Sequence, residues 1–224
     1  MKNRTEGISI KWHWHFLIVV LAIAILLSDF LTAKAWATQT QLSELMQDAC
    51  SHLTSSIIWG AGSLLLIYFA CRKWGFNIFQ KQPKPTNNAL VINIFLVVAI
   101  TAILWLLVGG FKPYMEYLGA RERVGDSAWI LFITQNIYYV FEMMICLVII
   151  IFAQMAMEAL SCAKKVPWGG IVLGLSWGLA HIFSKDLPTG IFALIIGVLL
   201  GLPYITLNRN AKLAWLFMFL IFAL

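Results

Sequence analysis

The sequence predicts an all-α fold, a polytopic bundle of about seven membrane-spanning helices, and three observations lead there. Hydrophobic residues make up 61% of the 224 and charged residues only 12%, about half the charged share of a soluble domain. The mean hydropathy is +0.85. The apolar residues also gather into runs near the ~20 residues a helix needs to cross a bilayer, at 16–32, 55–70, 89–109, 128–157, 169–184, 189–206 and 213–224.

The first run follows Lys2, Arg4 and Lys11 and carries Asp29 late in its length. Two readings of it stand. It is a spanning helix, or it is a cleavable secretory signal ending at Ala35-Trp36-Ala37 before Thr38, a reading weakened by Asp29 and Lys34. Asp29 itself is either close to the outer surface or a hydrogen-bond partner. His13 and His15 flank Trp14 and read as interfacial anchors. Residues 33–54 are expected as an outer loop, with Leu42, Leu45, Met46 and Leu53 spaced for a short interfacial helix.

The second run leads into a basic, Pro-containing segment, 71–88, with Arg72, Lys73, Lys81 and Lys84. It divides the chain into N-terminal accessory helices, 1–88, and a helical core, 89–224. The fourth run, 128–157, would measure about 45 Å as a helix, longer than the ~30 Å hydrocarbon core, so it tilts or protrudes. It holds Gln135, Asn136, Tyr138, Tyr139, Glu142 and Gln154; Gln135 and Asn136 are expected to hydrogen-bond across helices. Gln154 and Glu158, one turn apart, are expected to be solvated at the inner interface, with a substrate headgroup as the alternative partner.

The fifth run carries Gly170, Gly174 and Gly178 at i, i+4 spacing, and the sixth carries Gly197 and Gly201. Such small-residue stripes let two backbones approach closely, so these two helices are expected to pack through glycine. Lys185 and Asp186 lie between them as a turn that caps the sixth helix; the alternative is that Asp186 orients His181. The seventh run is short.

Charge supports the count. Lys2, Arg4, Lys11, Arg72, Lys73, Lys81, Lys84, Lys164, Lys165, Arg209 and Lys212 fall on one side, against Lys34, Lys112, Arg121, Arg123 and Lys185 on the other. Cytoplasmic loops hold the excess of Lys and Arg, which puts the N-terminus inside and the C-terminus outside. The net charge of +6 follows from topology, and no nucleic-acid partner is inferred. Cys50, Cys71, Cys146 and Cys162 are far apart and form no C-x-x-C pair, so free thiols are expected.

Glu142 and His181 are the candidate catalytic pair. Each lies inside a long apolar run, where a polar group costs at least ~2.5 kcal/mol on insertion scales and faces a partner or cavity. At 1.5 Å per residue, Glu142 lies about 21 Å into its helix from one end and His181 about 18 Å into its own from the other, depths that permit a meeting. One Glu and one His are too few for a three-ligand catalytic zinc site, and no metal or cofactor is inferred.

The stretch WGLAHIFSKDLPTGIFALIIGVLLGLPYI, with Trp177 four residues before His181 and Phe141-Glu142 thirty-nine before it, resembles the CPBP (CAAX-protease and bacteriocin-processing, or Abi) family of intramembrane endopeptidases over about 128–208. In that family a Glu-Glu pair precedes an Arg, an aromatic precedes a His, and a last helix carries a His near an Asn. Here Met143 and Leu147 stand where the second Glu and the Arg would be. Residues 213–224 hold neither His nor Asn, and Asn208 and Asn210 precede them.

The resemblance implies a bacterial cytoplasmic membrane protein in which Glu142 activates water and His181 holds the water or stabilises the oxyanion. Low dielectric makes a carboxylate a useful base near neutral pH, and each oxyanion donor contributes ~3 kcal/mol. Trp177, Asp186, Gln154 and Glu158 are the supporting candidates. The expected partners are the lipid bilayer and a membrane-associated protein or peptide. Three functions follow: a divergent endopeptidase, a non-catalytic relative that binds a peptide or protein in an immunity or scaffold role, and a transporter in which Glu142 carries a proton. Without an internal repeat, the sequence argues against the third.

Overall fold

A computed structural model describes residues 12–224, so Lys2, Arg4 and Lys11 lie outside the described residues. Every regular element among those described is helical. In chain order these are α1 (Trp12–Leu27), α2 (Asp29–Ala37), α3 (Glu44–Trp74), α4 (Asn87–Val108), α5 (Lys112–Val124), α6 (Ala128–Ser161), α7 (Trp168–Ser184), α8 (Leu187–Leu200), α9 (Leu202–Thr206) and α10 (Ala211–Ala223). Four stretches are long and apolar enough to cross a membrane: 12–37, 44–74, within 87–161, and 187–206. The 17-residue α7 and 13-residue α10 are apolar but shorter.

The chain folds around α6, whose residues Ile145 to Ala153 are at most 3% exposed. α1 and α3 pack along it on one side and α5, α7 and α10 elsewhere. One cluster of buried residues joins them, from Ile18 and Ala22 through Trp59 and Ile149 to Leu200 and Met218. Lipid offers apolar side chains no less than a core does, so such packing rests on close van der Waals fit and interhelical hydrogen bonds.

Close fit is clearest between α7 and α8. A Cβ on Gly174 would lie 2.5 Å from the Leu194 carbonyl oxygen, and one on Gly197 would lie 2.5 Å from the Gly174 Cα. The glycine packing expected of the fifth and sixth runs is thus present. Hydrogen bonds tie other pairs: Asn93 of α4, 1% exposed, donates Nδ2 to Thr206 Oγ1 of α9 at 2.8 Å.

Several expectations are corrected. The helix expected within 33–54 is present at Leu45, Met46 and Leu53 but is neither short nor separate: it is the start of α3, which Ser43 caps and which continues to Trp74, and α2 takes the segment up to Ala37. The charged segment after α4 is also helical. Gly109 in the left-handed region ends α4, and Pro113 opens α5, a polar-faced helix that apolarity alone does not signal. His15 is no surface anchor: it shares the buried stripe of α1 with Ile18, Val19, Ala22 and Leu26 and its ring lies 5.9 Å from Phe152.

Gln135 and Asn136 do not bond across helices. Gln135 Nε2 donates to Tyr139 Oη and Asn136 Nδ2 to the Phe132 carbonyl, both one turn away on α6. Gln154 is not solvated but 1% exposed. Its Nε2 donates to Glu158 Oε1 at 2.7 Å and to the Val166 carbonyl at 2.9 Å, while its Oε1 accepts from Gly169 N at 2.9 Å. Arg209 closes this network with a 2.8 Å ion pair to Glu158. All four cysteines are free.

Candidate functional site

The bundle has two chemically different ends. One gathers Arg72, Lys73, Lys81, Lys84, Lys164, Lys165, Arg209 and Lys212, as the Arg209–Glu158 pair and the Asn208-to-Lys84 hydrogen bond bring these links together. At the other, α2, α3, α5, α6, α7, α8 and the end of α10 surround a cavity of about 500 Å3. Exposed Ala33 and Lys185 line its rim.

Glu142, His181 and Trp177 all line this cavity, as well as a recess of about 110 Å3 beside it that also reaches Asp29 and Lys185. Glu142 is 4% exposed, and its Oε2 has no hydrogen-bond partner. Asp29, Glu116, Lys112 and Lys185 are the other charged residues near Glu142 that line the same cavity. Cys146, one turn deeper on α6, is fully buried, so the cavity ends at Glu142.

His181 sits edge-on to Trp177, ring centroids 5.0 Å apart. Its Nδ1 lies 2.8 Å from the Trp177 carbonyl oxygen. A carbonyl only accepts, so Nδ1 carries the proton, and in the neutral ring Nε2 is left as an acceptor. Asp186 does not line the cavity. It caps α8, accepting from Thr189 N at 2.7 Å, and that N–H holds its carboxyl below the usual Asp range. Gln154 and Glu158 belong to the basic end. Asn210 caps α10 there, accepting from Leu213 N.

The structure adds residues that the sequence did not place at the site, and for Asp29 it decides for the hydrogen-bond partner. Asp29 lines both spaces, accepting from Ser55 Oγ at 2.7 Å and Tyr138 Oη at 3.1 Å. Local chemistry sets its position. The helix turns at Ser28, whose N and Oγ both donate to the Ile25 carbonyl, and the Trp59 indole N–H donates to the carbonyls of Ile25 and Leu26 at 3.0 and 3.2 Å. A carboxylate inside an apolar run is the signal, and it is the same one that marks Glu142.

Lys112 pairs with Glu116 at 3.5 Å, donates to the Phe222 carbonyl and lies over the rings of Tyr139 and Phe222, 4.8 Å from each centroid. Tyr139 Oη donates to Glu116 at 2.8 Å. At the rim Arg123 of α5 pairs with Glu44 and Asp48 of α3 at 2.9 and 2.8 Å. Those two hydrogen bonds, Asp48 first, hold its guanidinium more firmly protonated. Lys185 is thus the cation lining the cavity that has no acidic partner among the described residues. No group of three or more His, Cys, Asp or Glu suited to a metal ion occurs among the described residues.

Comparison of the chain with protein-family models, with curated proteins and with solved structures finds no match.

Proposed function

We propose that the protein is a divergent, CPBP-like intramembrane endopeptidase in which Glu142 activates a water to cleave a membrane-associated protein or peptide. One observation carries the reading: Glu142, buried with Oε2 unpartnered, lines the same open cavity as His181. An unsatisfied buried acceptor costs roughly 1–3 kcal/mol, a cost that a bound water relieves.

The roles follow from donor and acceptor inventory. The water oxygen bonds to the carbonyl carbon while its proton passes to Glu142, and that proton goes on to the leaving amine as the C–N bond breaks. Neutral His181 offers Nε2 as an acceptor, which suits holding the water; donating to an oxyanion would need the imidazolium. Lys185, without an acidic partner, is the group that meets the developing oxyanion, where one donor is worth roughly 3 kcal/mol. Each of the seven apolar runs falls largely within a helix, which supports the seven-span topology. With the basic end inside, the N-terminus is inside, the C-terminus outside and the cavity opens outward.

A binding protein without turnover is the second reading. It is supported by Met143 and Leu147, 0% and 3% exposed, which leave Glu142 without the second carboxylate and the Arg of the family motif. A closed cavity floor at Cys146 weighs against a transporter.

Cleavage of a panel of membrane-anchored peptides by the purified protein in lipid tests the proposal. Turnover is expected to vanish in Glu142→Gln and to fall about 100-fold in Lys185→Met. No cleavage by folded wild type across the panel, or equal cleavage by Glu142→Gln, refutes it.

A further inference from the structure

At the basic end a second cavity of about 470 Å3 lies between α3, the 75–86 link, α6 and α10. Its walls include Ile67, Phe79, Leu147 and Leu216, and Lys212 is its charged lining residue. We propose that this groove binds one anionic phospholipid of the bilayer, with an acyl chain along the apolar walls and the phosphate at Lys212.

Charge complementarity argues for this occupant. Eight Lys and Arg gather at this end, where Glu158 is the acid among the described residues and is already paired with Arg209. Lys73 lies over Trp14 and Phe69, and Arg72 over Tyr68, whereas Lys212 has no ion pair among the described residues. It sits in the first turn of α10, where the helix dipole adds positive potential. Basic pockets between helices on the positive side suit anionic headgroups.

Shape agrees with charge. The groove runs from the link residues Ile78 and Phe79 toward Ile67 and Met144 within the helices, a charged rim above an apolar shaft. Its volume matches roughly one turn of a helix about 10 Å wide. That footprint is too short for a docked helix and adequate for a flexible chain. The inference is independent of whether the protein cleaves peptides.

The test is native mass spectrometry of the full chain in detergent, titrated with phosphatidylglycerol or phosphatidylcholine. Wild type is expected to retain phosphatidylglycerol preferentially. Lys212→Gln should weaken that retention about fivefold. Leu216→Trp, at a position 42% exposed and so tolerant of a larger side chain, should weaken it by filling the groove. Lys164→Gln, at the same end but outside the groove, should leave it unchanged. Equal retention of the two lipids by wild type overturns the proposal. So does wild-type retention in both groove variants, or an equal loss in Lys164→Gln, which would mean diffuse attraction to the basic end.

Discussion

Replacing Gly174 by alanine adds one methyl group at a close backbone contact between α7 and α8. An ideal Cβ there lies 2.5 Å from the Leu194 carbonyl oxygen, whereas ordinary contact begins at 3.4 Å, so α7 and α8 must separate by about 0.9 Å. The obstacle is backbone and cannot rotate away, which places the overpacking cost near the upper end of ~1–3 kcal/mol. Alanine's better helix propensity returns about 1 kcal/mol, leaving a net loss of roughly 2 kcal/mol. Gly119→Ala is the control. It lies exposed on α5 with nothing within 4 Å of its added Cβ, so only the propensity gain of ~0.5–1 kcal/mol remains. The assay is reversible SDS unfolding in mixed micelles, followed by far-UV circular dichroism. Propensity alone predicts that both variants gain stability, so a Gly174→Ala protein as stable as wild type would refute the argument from backbone contact.

Three further outcomes are expected. Gln154→Ala removes the side chain that joins Glu158, Val166 and Gly169; Glu158 keeps Arg209 and the Val166 carbonyl keeps Trp168 N, so Gly169 N is the group left without its acceptor and the change should cost ~1–3 kcal/mol in the same unfolding assay; a loss under ~1 kcal/mol contradicts the network. Asp29→Ala leaves Tyr138 Oη without its acceptor and should lower stability by ~1–3 kcal/mol, whereas Asp29→Asn, which keeps an acceptor oxygen, should lose less; the reverse order contradicts the assignment. Asp186 has its carboxyl held below the usual 3.8 by the Thr189 N–H, so its cap on α8 should be complete above that value and fade as pH falls through the lowered one. Hydrogen exchange at the α8 N-terminus should show that loss in wild type and not in Asp186→Asn, and an identical pH response in the two would contradict it.

Much of the architecture is legible from apolar run length, because a spanning helix must satisfy its backbone internally and present apolar side chains to lipid. The same logic misses α5, whose Lys112, Glu116, Arg121 and Arg123 give it no apolar run, and the first turns of α3, where Glu44 and Asp48 face Arg123 instead of lipid. Cost in an apolar setting singles out Glu142 and His181, and both line one cavity. Applied without exception it would also find Asn93, buried in the third run, and Asp29. Asp29 stayed ambiguous because its place depends on how Trp59, thirty residues later, caps the broken end of α1. No periodicity encodes that contact. The protonation pattern of His181 was likewise invisible, being fixed by a backbone carbonyl.

Cysteine accessibility tests most directly the claim that Glu142 and His181 face one cavity open at the end opposite the basic loops. In a background lacking Cys50, Cys71, Cys146 and Cys162, Glu142→Cys, His181→Cys and Gln154→Cys would each be treated in oriented membrane vesicles with a membrane-impermeant thiol reagent. The account predicts that positions 142 and 181 react from the same side and that position 154 does not react from that side. Labelling of 142 and 181 from opposite sides, or of 181 alone, would contradict it.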